Sequence, residues 1–470
     1  MDLLVSVLRG LLGLTVILGI AFALSSDRRA IRPRTIIGGL LLQLIFAVFI
    51  LRGSTMAETF APLGWPALFF AWISSFFVVV LRFMEEGAQF IFGQLAVSPG
   101  QEGSLGFFFF AQVLPTIVFF ASLMSVLYYL GVMQYVVRGM AWLVSRMLGT
   151  SGPESLSVTA NIFVGQTEAP LVVRPYIKNM TRSELMTIMA GGMATIAGGV
   201  MASYIQLLGD RYAQAAGVPL DVGRQLFAEQ LLGASVMAAP AAIVLAKILI
   251  PERRPAPVPL PAEAVTSDLT LAEETAEPTV PALDSETAVE EAVAPEVRPQ
   301  NVIDAAASGA ADGLKLALNV GAMLIAFIAL IAMVNFFLGE ITGVFGYALT
   351  LEQIFGWVLA PIAWAIGIPT QDITAFGGLL GTKVVLNEFV AYLGLASAVE
   401  AGTLAPKTVV MATFALCGFA NFSSIAIQIG GIGPLAPNRT SEIAELGLRA
   451  VLVGTLANLM TATIAGVLLG

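Results

Sequence analysis

The sequence predicts an all-α polytopic membrane protein: about eight transmembrane helices, two re-entrant helical hairpins and interfacial helices, arranged as an inverted repeat. Three observations predict it. The 470 residues are 57% hydrophobic and only 12% charged, with mean hydropathy +0.87, whereas soluble domains carry about twice that charged fraction. Apolar runs near 3–23, 35–51, 106–133, 185–208, 227–250, 317–338, 409–429 and 443–469 are each of the roughly 17–25 residues that span hydrocarbon. Finally, two carboxylates in apolar surroundings, Glu168 in GQTEAP and Glu388 in VLNEFVAYL, stand 220 positions apart. An ionised group at bilayer depth costs roughly 2.5–3.5 kcal/mol and is retained mainly where it faces a cavity. A closed β-barrel would show alternating segments of about ten residues instead of these continuous runs.

The first run ends in Ala21-Phe22-Ala23, which resembles a cleavage site. It lacks a basic leader and is followed by Arg28, Arg29, Arg32 and Arg34, so a retained first helix is expected. Those arginines place their loop in the cytoplasm and the N-terminus outside. The next basic cluster, Arg138, Arg146, Arg174, Lys178 and Arg182, belongs on the same side and requires an even number of crossings between the two. Residues 66–83, which carry Trp72 and lead to Arg82, Glu85 and Glu86, are therefore expected to lie in the interface. The same logic puts Arg253, Arg254 and Arg439 in the cytoplasm, the loops around Arg211, Lys383 and Lys407 outside, and both termini outside.

Residues 1–105 then form an N-terminal part, 106–250 a first repeat and 301–470 a second, inverted one. Between the repeats, 251–300 hold eleven acidic residues, three basic ones and nine prolines; without this stretch the 23 basic and 32 acidic residues become 20 and 21. Such a composition reads as a disordered acidic linker on the cytoplasmic side, with a docking tail as the alternative. In each repeat a long apolar helix leads to a segment broken by polar groups: Asn161, Gln166, Thr167 and Glu168 in 153–177, and Thr382, Lys383, Asn387 and Glu388 in 373–395. These read as re-entrant hairpins, tolerated only when buried or lining a cavity. A Gly- or Ser-rich helix follows, and its unwinding is expected at Gly198-Gly199 and at Ser423-Ser424. Three crossings between the starts of the repeats invert the second copy, the architecture of secondary transporters.

The absence of histidine and the single cysteine, Cys417, exclude histidine-dependent catalysis, an intramolecular disulfide and a thiolate metal cluster.

At GQTEAPLVVRPYIKNMTRSELMTIMAGGMATIAGGV, NVIDAAASGAADGLKLALNVGAML, LNEFVAYL and CGFANFSSIAIQIGGIGPLAPNR, the chain resembles the concentrative nucleoside transporter family. The likeness runs from about Gly106 to the C-terminus apart from the linker. It implies a sodium-coupled symporter that imports uridine and related pyrimidine and purine nucleosides by alternating access. It also implies a homotrimer in the bacterial inner membrane, with no nucleic-acid polymer as partner. By the same resemblance Gln166, Thr167 and Glu168, with Val200 beside them, meet the nucleobase. Glu388, Asn421 and Ser424 meet the ribose, with Phe419 against the substrate. Sodium is expected at the side chains of Asn161 and Thr195 and the carbonyls of Val164 and Ile196.

The chemistry agrees. A carboxylate accepts from vicinal hydroxyls and an amide both donates and accepts, while sodium, a hard cation, takes oxygen ligands. Gly199 stands where many relatives are expected to carry serine, which leaves base selectivity open. Three other readings remain: proton coupling in place of sodium, a membrane-embedded enzyme using Glu168 and Glu388 as acid and base, and a channel. The enzyme would call for clustered aspartates that the chain lacks, and two different hairpins in one chain fit a site within each protomer better than a shared pore. Glu388 paired with Lys383, Phe419 as core packing and Asn161 as a helix cap are the structural alternatives for single residues.

Overall fold

A computed structural model of the chain describes residues 2–52, 64–99, 101–253, 299–344 and 346–469. The expected acidic linker falls almost wholly outside the described residues. All regular structure among the described residues is helical. Two long helices open the chain, α1 (Asp2–Ala23) and α2 (Pro33–Leu51), the second started by Pro33 in its first turn, where a missing N–H costs nothing. They are followed by α3 (Trp65–Phe92), α4 (Phe109–Gln112) and α5 (Leu114–Tyr129). The amphipathic α6 (Val132–Leu148) lies between Gly131 and Gly149, both left-handed at φ +80° and +68°. It buries Val137, Ala141, Val144 and Leu148 at helical spacing and exposes Tyr135 and Trp142.

Two capping boxes then set the start of the site. Ser151 with Glu154 opens α7 (Gly152–Ala160), and Thr181 with Glu184 opens α9 (Arg182–Ala194), after the short α8 (Arg174–Ile177); each box satisfies backbone donors that a helix start leaves free. Next come α10 (Gly198–Ala216) and α11 (Leu220–Leu249), whose spanning stretch is buried on all sides. The second half holds α12 (Val302–Gly343), α13 (Leu351–Ala365), α14 (Ile373–Val385), α15 (Glu388–Glu400), α16 (Pro406–Leu416), α17 (Phe422–Ile432) and α18 (Thr440–Leu469). The core is formed by α9, α11, α16, α17 and α18 packing together. The 42-residue α12 packs on α5 and exposes most of its remaining surface.

Among the described residues eight helical stretches are long and apolar enough to cross a membrane, one of them the broken pair α9 and α10. Relative to the runs in the sequence there is one exchange. The 409–429 run is not one helix but α16 and α17, each only 11 residues, whereas 65–96 qualifies by length and hydropathy. Its contacts give α3 a transverse course all the same. Ala71, Arg82 and Glu85 span about 20 Å of α3 yet all meet residues 221–225 of α11, through Gln225, Asp221 and Arg224.

The basic clusters sort by end. Arg34 donates to the Arg146 carbonyl, Arg253 pairs with Asp27, Ser26 bonds Leu249, Arg182 pairs with Glu445, and Arg439 donates to the carbonyls of Ile177 and Met180. These contacts gather on one end the loops that charge counting puts together. At the other end Arg224 is buried against Asp210 (2.6 Å) and Glu85 (2.5 Å), and Arg211 pairs with Glu400. Lys383 departs from expectation: it is not in an outer loop but fully buried in the last turn of α14.

The breaks also differ from the sequence reading. The first falls at Thr195–Ala197 and the second at 417–421, so Gly198-Gly199 and Ser423-Ser424 lie in the first turns after them. The second position has a local cause. Asn421 is an N-cap whose Oδ1 accepts from the Ser424 N–H at 2.9 Å, which starts the helix at Phe422.

Candidate functional site

The first hairpin consists of α7, a turn through Gly165-Gln166-Thr167-Glu168 and a 3-10 turn over Ala169–Val173; the second consists of α14 and α15. Their tips meet the two breaks. A chain of side-chain hydrogen bonds joins them. Gln428 Nε2 donates to Gln166 Oε1 (3.2 Å), and Gln166 Nε2 donates to Ser424 Oγ (3.1 Å). The Ser424 N–H is held by Asn421, whose Nδ2 donates to Glu388 Oε2 (2.9 Å), while the Tyr204 hydroxyl donates to Glu388 Oε1 (3.0 Å). Gln166, Glu388, Asn421, Ser424, Gln428 and Tyr204 are all buried. Each Glu388 oxygen thus accepts one side-chain bond, which orients the carboxylate, and an ionised carboxylate has acceptor capacity beyond those two bonds. Glu388 sits in the first turn of α15, where the helix N-terminus favours negative charge, behind Asn387, whose Oδ1 caps Val390 N–H at 2.9 Å.

The other expected substrate residues are placed less uniformly. Val200 is buried in the first turn of α10, and Phe419 is half-buried in the second break. Thr167 and Glu168 stand apart from the chain of bonds. The Thr167 hydroxyl donates to Glu168 Oε2 (2.9 Å), and the exposed Glu168 folds over Gly165, leaving no room there for a Cβ. Among the described residues Glu388 forms no ion pair with Lys383.

Beside this site two helix C-termini converge. Asn161 is the C-cap of α7 and Thr195 that of α9, and the Thr195 hydroxyl donates to the Asn161 carbonyl and the Gly191 carbonyl, both at 3.0 Å. Val164 lies one turn beyond Asn161, its N–H on the Ala160 carbonyl at 3.0 Å, and Ile196 is fully buried in the break. The Gly198 N–H closes the assembly on the Phe163 carbonyl at 3.0 Å. Two negative helix ends and a set of neutral oxygens suit a monovalent hard cation. Gly192 ties the two sites together. A Cβ there would stand 2.8 Å from Gln428 Nε2, 3.1 Å from Gln166 Cβ and 3.2 Å from Asn161 Nδ2, so the paired helix ends and the chain of side-chain bonds share one glycine-sized junction.

Sequence reading missed Tyr204, Gln428 and Asn458, the last on α18 with its Nδ2 donating to the Cys417 carbonyl (2.6 Å) and the Ala194 carbonyl (2.7 Å) and so joining the two breaks. Two had a signal. Tyr204 follows Val200 by one helical turn, and Gln428 follows Ser424 by one turn in an otherwise apolar helix.

A helical membrane fold with a polar site buried between two broken helices is the architecture of a secondary transporter. Residues 230–466 and 12–95 match the family models described as the Na+ dependent nucleoside transporter C-terminus and N-terminus, and 110–211 match one described as nucleoside recognition. Nucleoside permease NupC of Helicobacter pylori is 38% identical, with 99% of this chain and 98% of that protein covered. Mouse sodium/nucleoside cotransporter 1 is 37% identical over 97% of this chain and 63% of its own length. The solved structure of CNTnw in an inward-facing substrate-bound state is 41% identical with TM-score 0.80, covering 98% of both chains. The chain belongs to the concentrative, sodium-dependent nucleoside transporter family and is a multi-pass nucleoside transporter.

Proposed function

We propose that the protein is a sodium-coupled symporter that imports uridine and related pyrimidine and purine nucleosides by alternating access. The observation that carries this reading is the bond chain from Gln166 to Glu388 lying against the Asn161–Thr195 cradle through Gly192. A bound nucleoside replaces its direct links. The base meets Gln166, with Thr167, Glu168 and Val200 around it, and the ribose hydroxyls donate to Glu388 and bond Asn421 and Ser424, with Phe419 alongside. Sodium is held by Asn161 and Thr195 and by the carbonyls of Val164 and Ile196. Because Asn161 Nδ2 and Gln166 both lie against Gly192, an ion that fixes Asn161 also fixes the surface the base meets.

The hairpins α7 to α8 and α14 to α15 are re-entrant, and the repeats 106–250 and 301–470 are inverted. α3 lies in the interface, as its transverse course against residues 221–225 supports. The end carrying Arg34, Arg146, Arg253 and Arg439 faces the cytoplasm of a bacterium, and both termini face outward. The exposed length of α12 is the contact surface of a homotrimer. With sodium carried inward, the membrane potential adds about 2.3 kcal/mol per charge per 100 mV.

Equilibrium binding tests the linkage. Uridine affinity measured on purified protein should rise with sodium and not with choline at constant ionic strength. Equal affinity in both salts contradicts ion coupling at this cradle. A rise on acidification in the absence of sodium assigns coupling to a proton.

A further inference from the structure

The turn of the first hairpin lies along one face of α17. Ser424, Gln428 and Gly431 follow one another there at helical spacing. Ser424 Oγ and Gln428 Nε2 both bond the Gln166 amide, and a Cβ on Gly431 would stand 2.5 Å from Thr167 Cγ2. The helix that carries Ser424 in its first turn therefore also holds the residues that face the base.

A glutamine amide has a donor end and an acceptor end of nearly the same shape, and its hydrogen-bond partners decide which end faces a site. Ser424 cannot decide this for Gln166, because a hydroxyl both donates and accepts. Gln428 can. Its Nε2 lies 2.9 Å from the Met189 carbonyl of α9, and a carbonyl only accepts, so the end of Gln428 at that point is the NH2. The same nitrogen donates to Gln166 Oε1 at 3.2 Å, which leaves the Gln166 NH2 on the side of Ser424. Both amides are buried, Gln428 completely. Turning either one over sets donor against donor or acceptor against acceptor, out of reach of bulk solvent. Gly192 makes the arrangement possible, since a Cβ there would stand 2.8 Å from Gln428 Nε2.

We propose that Gln428 is a positioning residue that holds the Gln166 amide with its donor end toward the substrate, and that the protein thereby favours nucleosides whose base turns a carbonyl oxygen to that amide over those with an amino group in the same place. The inference rests on the assignment of Gln166 to the base. Uridine against cytidine, and inosine against adenosine, are pairs of this kind. In each, an oxygen and an amino group exchange at one ring position while the shape of the base is nearly unchanged.

Competition binding of the four nucleosides to the purified full-length protein at saturating sodium tests this. The wild type should bind uridine over cytidine, and inosine over adenosine, by about five- to tenfold, the effect of one hydrogen bond made or lost. Gln428→Leu and Gln428→Met leave the Gln166 amide free to turn over, so both ratios should fall toward one. Gln166→Glu presents an acceptor to the base and should reverse them. The loss of affinity from uridine to 3′-deoxyuridine reports the ribose side. It should stay at the wild-type value in both Gln428 variants, since Glu388 is held by Tyr204 and Asn421 instead; a fall there together with the base ratios means a general loosening of the site and overturns the positioning role. Ratios unchanged in the Gln428 variants but reversed in Gln166→Glu overturn the proposal and leave the base assignment standing. Ratios unchanged in Gln166→Glu overturn the base assignment, and the proposal with it. If neither Gln428 variant folds, the wild type decides: ratios at or below one overturn the proposal.

Discussion

The Gln166 amide on the first hairpin donates to Ser424 Oγ after the second break at 3.1 Å, across 258 positions of sequence. Both groups are buried, and a buried polar group left unpaired costs about 1–3 kcal/mol. The halves of the site bond each other directly. A nucleoside that enters must supply the bonds it interrupts, which favours a ligand rich in paired donors and acceptors.

Glu388→Gln keeps the shape of the carboxylate and loses the charge-assisted acceptor. Hydrogen bonds to charged groups contribute about 1.5–3 kcal/mol, so uridine should bind roughly ten- to a hundred-fold more weakly. A radioligand titration checks this, with thermal unfolding as a control that the fold survives. Unchanged affinity contradicts the ribose assignment.

Tyr204→Phe tests a residue that only the structure reveals. The ring packs against Tyr392 at 4.3 Å and Phe389 at 4.8 Å between centroids, so the substitution removes the hydroxyl and leaves the packing. Loss of one bond to Glu388 costs about 1 kcal/mol, and uridine affinity should fall about five-fold. If Glu388→Gln is already present, the second substitution should add little, because the two act through the same carboxylate.

Thr195→Val is close to isosteric and removes the hydroxyl that bonds the Asn161 carbonyl. The half-saturating sodium concentration should rise by about tenfold, corresponding to about 1.4 kcal/mol, while uridine affinity at saturating sodium approaches that of the wild type. An unaltered sodium titration removes Thr195 from the cradle.

Gly418→Ala places a methyl against Asn458 and the Ala194 and Met193 carbonyls, all within 2.8 Å of the new atom. Overpacking of this kind costs about 1–3 kcal/mol. A lowered Tm is expected; an unchanged one means that the two breaks are not locked together as described.

Much of the site was legible because its residues violate their surroundings. Asn161, Gln166 and Glu388 are polar in apolar runs, and an apolar run cannot hide such groups without a partner or a cavity; Asn421 is reached only through the family resemblance. Hydropathy could not place the breaks, since 409–429 reads as one continuous span; the Asn421 cap that divides it acts over three residues. Charge counting grouped Arg34, Arg146, Arg253 and Arg439 at one end, yet it put Lys383 in an outer loop, because a lysine whose Nζ donates to a buried carbonyl, here that of Ala415, looks in sequence like any other basic residue. Tyr204 and Gln428 lie one helical turn after Val200 and Ser424, which puts them on the right faces, but the partners they bond are 184 and 262 positions away, and that spacing alone does not name a partner.

The most direct test of the central claim is labelled uridine uptake into proteoliposomes, comparing inward sodium and inward proton gradients at matched membrane potential. Sodium-driven accumulation above equilibrium, with none from protons, is the predicted result. Accumulation driven by protons alone contradicts the sodium cradle at Asn161 and Thr195 and moves coupling to a carboxylate.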